Sequence, residues 1–105
     1  MKKIFISLPM RGRTLEEIAI EREKLFELAG RYFNEPVKLV ENYLSMELNP
    51  LECLGENLKR MALADYVLFS NGYEGARGCK IEMACALEYD KQILLEEAGK
   101  IEEVL

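Results

Sequence analysis

Asp65-Tyr-Val-Leu-Phe-Ser-Asn-Gly-Tyr-Glu-Gly-Ala-Arg-Gly-Cys-Lys-Ile-Glu82 contains a strand, a turn and a helix start in succession. Tyr66 to Phe69 is a short aromatic and branched apolar run, which reads as a buried strand. Gly72, Gly75 and Gly78 then form a turn region, and Cys79 to Tyr89 reads as a helix with a carboxylate, Glu82, about one turn in. A strand passing through a Gly-rich turn into a helix is characteristic of α/β folds. Those folds gather ligands at the C-terminal edge of the sheet. Glu82 is therefore the leading candidate for chemistry.

Outward from this block, strands and helices alternate. Lys3 to Ser7 is an apolar strand, and Ser7-Leu-Pro-Met-Arg-Gly-Arg13 a loop. Thr14 with Glu17 predicts a capping box, opening a helix whose apolar positions are Ile18, Leu25, Phe26, Ala29 and Phe33. The helix is expected to stop near Asn34, ahead of Pro36. Val37 to Val40 is a second strand, and a loop follows from Glu41 to Leu48. Asn49-Pro50 opens a second helix with Leu51, Leu54, Leu58, Met61 and Ala62 as its apolar stripe. Gln92 to Leu95 is a fourth strand. The tail, Lys100 to Leu105, fits a short helix and an edge strand equally well. The pattern predicts one α/β domain, a flavodoxin-like or Rossmann-like three-layer sandwich with a four- or five-stranded parallel sheet.

The 105 residues suit a single domain of ordinary globular composition, half apolar and 31% charged. A net charge of −5 argues against nucleic acid polymers and anionic membranes as partners. No apolar run is long enough to span a bilayer. Cys53, Cys79 and Cys85 include no CxxC, and histidine is absent. Neither a metal site nor a disulfide framework is predicted, no cofactor is expected, and the cytoplasm is the natural compartment. The lack of histidine also excludes Ser–His and Cys–His mechanisms, leaving acid–base work to carboxylates, Tyr, Lys or Cys.

Two loops should meet at one sheet edge, Ser7 to Gly12 after the first strand and Asn71 to Gly78 after the third. Free N–H groups at the start of the third helix suit an anion, although the same glycines also serve simply to make a tight turn. Arg11 and Arg77 flank this crevice and fit a phosphate or carboxylate, with Arg13 and Lys80 nearby in sequence. Candidate binding residues are Ser7, Pro9, Met10, Arg11, Gly12, Asn57, Asn71, Gly75, Arg77 and Gly78. For each a plainer reading stands. Helical spacing alone favours a solvated Glu82, and Asn57 suits a half-buried amide bonded to backbone. Tyr43 and Tyr73 suit either ring stacking or packing, and Cys79 and Cys85 suit small core positions.

Lys3-Ile-Phe-Ile-Ser-Leu-Pro-Met-Arg-Gly12, Ala64-Asp-Tyr-Val-Leu68 and Gly75-Ala-Arg-Gly-Cys-Lys-Ile-Glu82 together resemble the nucleoside 2-deoxyribosyltransferase-like superfamily, nearest its small uncharacterised members. The likeness runs from Lys3 to about Leu95. It implies cleavage of an N-glycosidic bond in a nucleoside or nucleotide, with the glutamate matching Glu82 attacking C1′ of the deoxyribose. It also implies a pocket lined by Ser7 to Gly12 and assembly into homo-oligomers. Three positions depart from the superfamily's pattern. Asn57 stands where an aspartate helps the leaving base, Leu8-Pro9 replaces small residues, and Ala76 replaces a phosphate-binding serine. The alternative is a non-catalytic nucleoside- or nucleotide-binding module of the same fold.

Overall fold

The structure, a computed structural model, describes residues 1–44 and 47–104. Positions 45, 46 and 105, within the loop and tail anticipated above, lie outside the described residues. In chain order the elements are β1 (Lys2–Ser7), α1 (Leu15–Phe33), β2 (Val37–Val40), α2 (Pro50–Met61), β3 (Tyr66–Phe69), a 3-10 turn (Tyr73–Gly75), α3 (Arg77–Glu88), β4 (Gln92–Glu97) and β5 (Lys100–Val104). The five strands form one sheet in the order β2-β1-β3-β4-β5. β1 pairs in parallel with β2 and β3, and β3 with β4, while β5 runs antiparallel to β4.

The strand pleat sorts the core. Ile4, Ile6, Leu8, Leu68 and Leu94 pack on one face against Ile18, Leu25 and Ala29 of α1. Phe5, Val67, Phe69 and Ile93 pack on the other against Met61 of α2 and Ala86 of α3. Successive residues of a strand point to opposite faces, so Ile4-Phe5-Ile6 feeds both clusters, and strands covered on both sides read as unbroken apolar runs. At the N-terminal edge Asp65 ties β1 to β3. Its carboxylate accepts the Lys3 N–H at 2.9 Å and its own N–H donates to the Lys3 carbonyl at 2.8 Å.

Local signals hold at two helix starts. Thr14 caps α1 and Asn49 caps α2, each in a reciprocal capping box, with Glu17 and Glu52 respectively. Asn34 closes α1 in the left-handed conformation. Other details differ from expectation. Leu51 is 76% exposed, and Ala62 is exposed too. Leu51 sits in the first turn of α2, where nothing packs over it, and Ala62 is the C-cap beyond the last turn. The third helix starts at Arg77, two residues early, because extended Ala76 serves as its N-cap. The tail is an edge strand. It pairs with β4 through a two-residue turn at Ala98-Gly99 and lengthens β4 to Glu97, so the sheet is mostly, not wholly, parallel.

Candidate active site

β1 ends on Ser7, whose pleat position faces the α3 side. On α3, Cys79, Glu82 and Ala86 recur at three and four residues and form its buried face. These two placements bring Ser7 and Glu82 together. Ser7 Oγ donates to Glu82 Oε1 at 2.6 Å, and only 7% of Glu82 is exposed. The solvated position favoured by spacing alone is therefore not the one Glu82 occupies. Burial penalises the charged form and pushes its pKa up to about 7, against the opposing pull of the Ser7 hydroxyl. A carboxyl held there is part ionised at neutral pH, which suits a nucleophile and a proton carrier alike.

Cys79 lies beside this pair. Burial raises its thiol to about 11, with the Ser7 hydroxyl lowering it and the charges of Glu82 and Glu21 raising it. It is a neutral packing group at physiological pH, in keeping with the reading of a small core residue.

The loop after β1 is anchored by Leu8, which is buried in the α1-side core. Pro9 and Met10 are half-buried, and Arg11 and Gly12 are exposed. Arg13 holds the loop in shape. Its guanidinium donates to the Pro9 carbonyl at 2.8 Å and pairs with Glu21 of α1. This structural role of Arg13 was not evident from its position among the loop cations. Arg11 and Arg77 are both exposed, and neither forms an ion pair with another described residue.

After β3, the Ser70 N–H donates to the Ser7 carbonyl at 3.0 Å, locking the two strand ends together. Ser70 Oγ is fully buried and has no hydrogen-bond partner among the described residues. Asn71 is exposed, and its backbone N–H reaches Glu96 Oε1 at 3.2 Å. Gly72 has φ +87°, the left-handed region that a side chain resists. Gly75 and Gly78 are different. Their φ values are ordinary, and a Cβ on either would meet nothing within 4 Å. The fold does not require glycine at those two positions, and the backbone at the start of α3 stays approachable. No side chain caps that helix end.

Asn57, buried on α2, bonds to the backbone of Tyr43. Its Oδ1 accepts the Tyr43 N–H at 2.7 Å and its Nδ2 donates to the Tyr43 carbonyl at 3.3 Å. The amide clamps the loop after β2, in keeping with an amide bonded to backbone. The Tyr43 ring lies 5.2 Å from the Arg60 guanidinium, and Tyr73 packs on Phe69 with centroids 5.3 Å apart. Both tyrosines are thus engaged in packing.

Two residues on the same sheet edge escaped the sequence reading. Asn42, buried after β2, donates to the Ile6 carbonyl at 2.8 Å and accepts from Arg22 at 3.3 Å. Glu96 accepts N–H groups from Asn71 and Gly99. No local pattern marks either, because both act across elements distant in sequence. Open depressions elsewhere, one lined by Glu23, Phe26, Gly30, Asn34 and Val37 and another between Leu28, Tyr32 and Ile101, border no buried ionisable group. No helix among the described residues is long and apolar enough to cross a membrane. In comparisons with known proteins, the chain matches no family model, no curated protein and no solved structure.

Proposed function

We propose that this chain is an N-glycosidase or 2-deoxyribosyltransferase acting on a nucleoside or nucleotide, with Glu82 as nucleophile at C1′ of the sugar. The observation that carries the reading is the Ser7–Glu82 hydrogen bond. It joins a buried carboxylate on α3 to the end of β1, at the edge where the order β2-β1-β3 switches direction. The strand order, with α1 on one face and α2 and α3 on the other, fits the flavodoxin-like or Rossmann-like three-layer sandwich of the superfamily that the sequence resembles.

In the proposed reaction ionised Glu82 attacks C1′ as the bond from C1′ to the base nitrogen breaks. A glycosyl ester forms and the base leaves, taking up a proton. Water or a second base then attacks C1′ and frees the carboxylate. Ser7 holds one carboxylate oxygen and so orients the other. The uncapped start of α3, with open space at Gly75 and Gly78, offers N–H groups to a 5′-phosphate or another anion on the substrate.

The test is incubation with deoxynucleosides and their monophosphates, following free base by chromatography. Base release that vanishes in Glu82→Gln and Glu82→Ala is the expected result. Because attack needs the ionised carboxylate, kcat/KM should climb as pH rises through about 7. A second reading, a binding module without turnover, is favoured by Asn57, whose amide is tied to the Tyr43 backbone and supplies no acid from α2. Thermal stabilisation by the same ligands without base release would select it.

A further inference from the structure

We infer that the outer face of α3 is a two-fold interface between two copies of this chain. Arg77, Lys80, Ile81, Ala84, Leu87 and Glu88 are all exposed. Their spacing of three and four residues places them on one stripe, opposite the Cys79–Glu82–Ala86 face. Two large apolar side chains lie on it, Ile81 at 39% and Leu87 at 57% exposure.

The stripe is symmetric about Ala84. Ile81 and Leu87 lie three residues to either side, and Lys80 and Glu88 four. In an antiparallel pair of α3 helices with the two-fold axis at Ala84, Lys80 of each copy meets Glu88 of the other. Ile81 meets Leu87, and alanine at the crossing lets the backbones approach. Within one chain the two charges stand about 12 Å apart, two helical turns, and cannot reach each other. Neither forms an ion pair with another described residue. An isologous interface requires a surface complementary to itself, and this stripe supplies both halves of its charge pairing. A second copy is therefore the occupant that the pattern fits. The inference is independent of the reaction proposed above, since Glu82 faces the other way.

Sedimentation of the full chain over a range of concentrations tests it. The expected limit is twice the chain's 12.1 kDa. Lys80→Glu and Glu88→Lys should each weaken the dimer by about tenfold or more, because each sets two like-charge pairs across the axis. The double variant should recover wild-type association. Ala84→Glu, at an exposed helical position that tolerates glutamate, should block the crossing while leaving the far-ultraviolet circular dichroism of the folded chain unchanged. A chain that stays monomeric throughout overturns the inference. So do single reversals that associate like wild type, or a double variant as weak as the singles.

Discussion

Glu82 is a carboxyl group with one hydroxyl partner and an apolar setting, and its proton affinity is a statement about stability. Its folded pKa of about 7 lies above the ordinary 4.5, so the folded state holds a proton that the unfolded chain releases. Its stabilising contribution is full below about pH 4.5 and is lost as pH rises through about 7. At alkaline pH the buried charge costs about 3 kcal/mol. Glu82→Gln, which keeps the shape without the charge, should therefore be more stable than wild type by about 2–3 kcal/mol at pH 8.5 and nearly equal to it at pH 4.5. Urea unfolding at the two pH values measures this, and an offset independent of pH would refute it. Asn57→Asp, which installs the superfamily's acid, should lower stability by about 1–3 kcal/mol. The Tyr43 carbonyl loses its donor and faces a carboxylate, and denaturant midpoints report the loss. Glu82's identity as the candidate was readable from sequence, but its direction was not. Apolar residues such as Ile81 and Leu87 lie on the outer side of α3, so its phase is set by contacts with Ser7 and the sheet.

Among the elements, those governed by neighbours within one turn were legible. Thr14 with Glu17, and Asn49 followed by Pro50, announce α1 and α2 because a cap is a contact three residues long. The β4–β5 turn was not legible. Ala98 and Gly99 both have positive φ, 52° and 76°, the combination of a type I′ hairpin, yet the usual Asn-Gly signal is missing. Alanine in the left-handed region is strained, and asparagine tolerates it better. Ala98→Asn should accordingly stabilise the protein by about 1 kcal/mol, read as a higher thermal midpoint. No gain would mean that the turn relaxes differently in solution.

Across the whole molecule, burial falls from the centre of the sheet to its edge. Ile4, Phe5 and Ile6 of β1 and Val67, Leu68 and Phe69 of β3 are completely enclosed, whereas β5 is largely exposed. Hydrogen exchange should follow that gradient. The amides of β1 and β3 should exchange slowest, near the rate set by global unfolding, and those of β5 first. Protection in β5 equal to that in β1 would contradict it, unless another chain covers that edge. The alternation of elements was legible because a parallel sheet needs a crossover after each strand. The adjacency of β1 and β3 was legible as well, from the two loops expected to meet at one edge, whereas the antiparallel place of β5 was not, since it rests on the Ala98-Gly99 turn. The strand order puts β1, the earliest strand, between β2 and β3, and it also sets a timetable for biosynthesis. A ribosome adding about 5–20 residues per second finishes β3 roughly 3–12 seconds after β1, and α3 with Glu82 later still. Until then Ile4-Phe5-Ile6, among the most deeply enclosed residues of the finished protein, lacks its β3 neighbour and keeps apolar surface in contact with water.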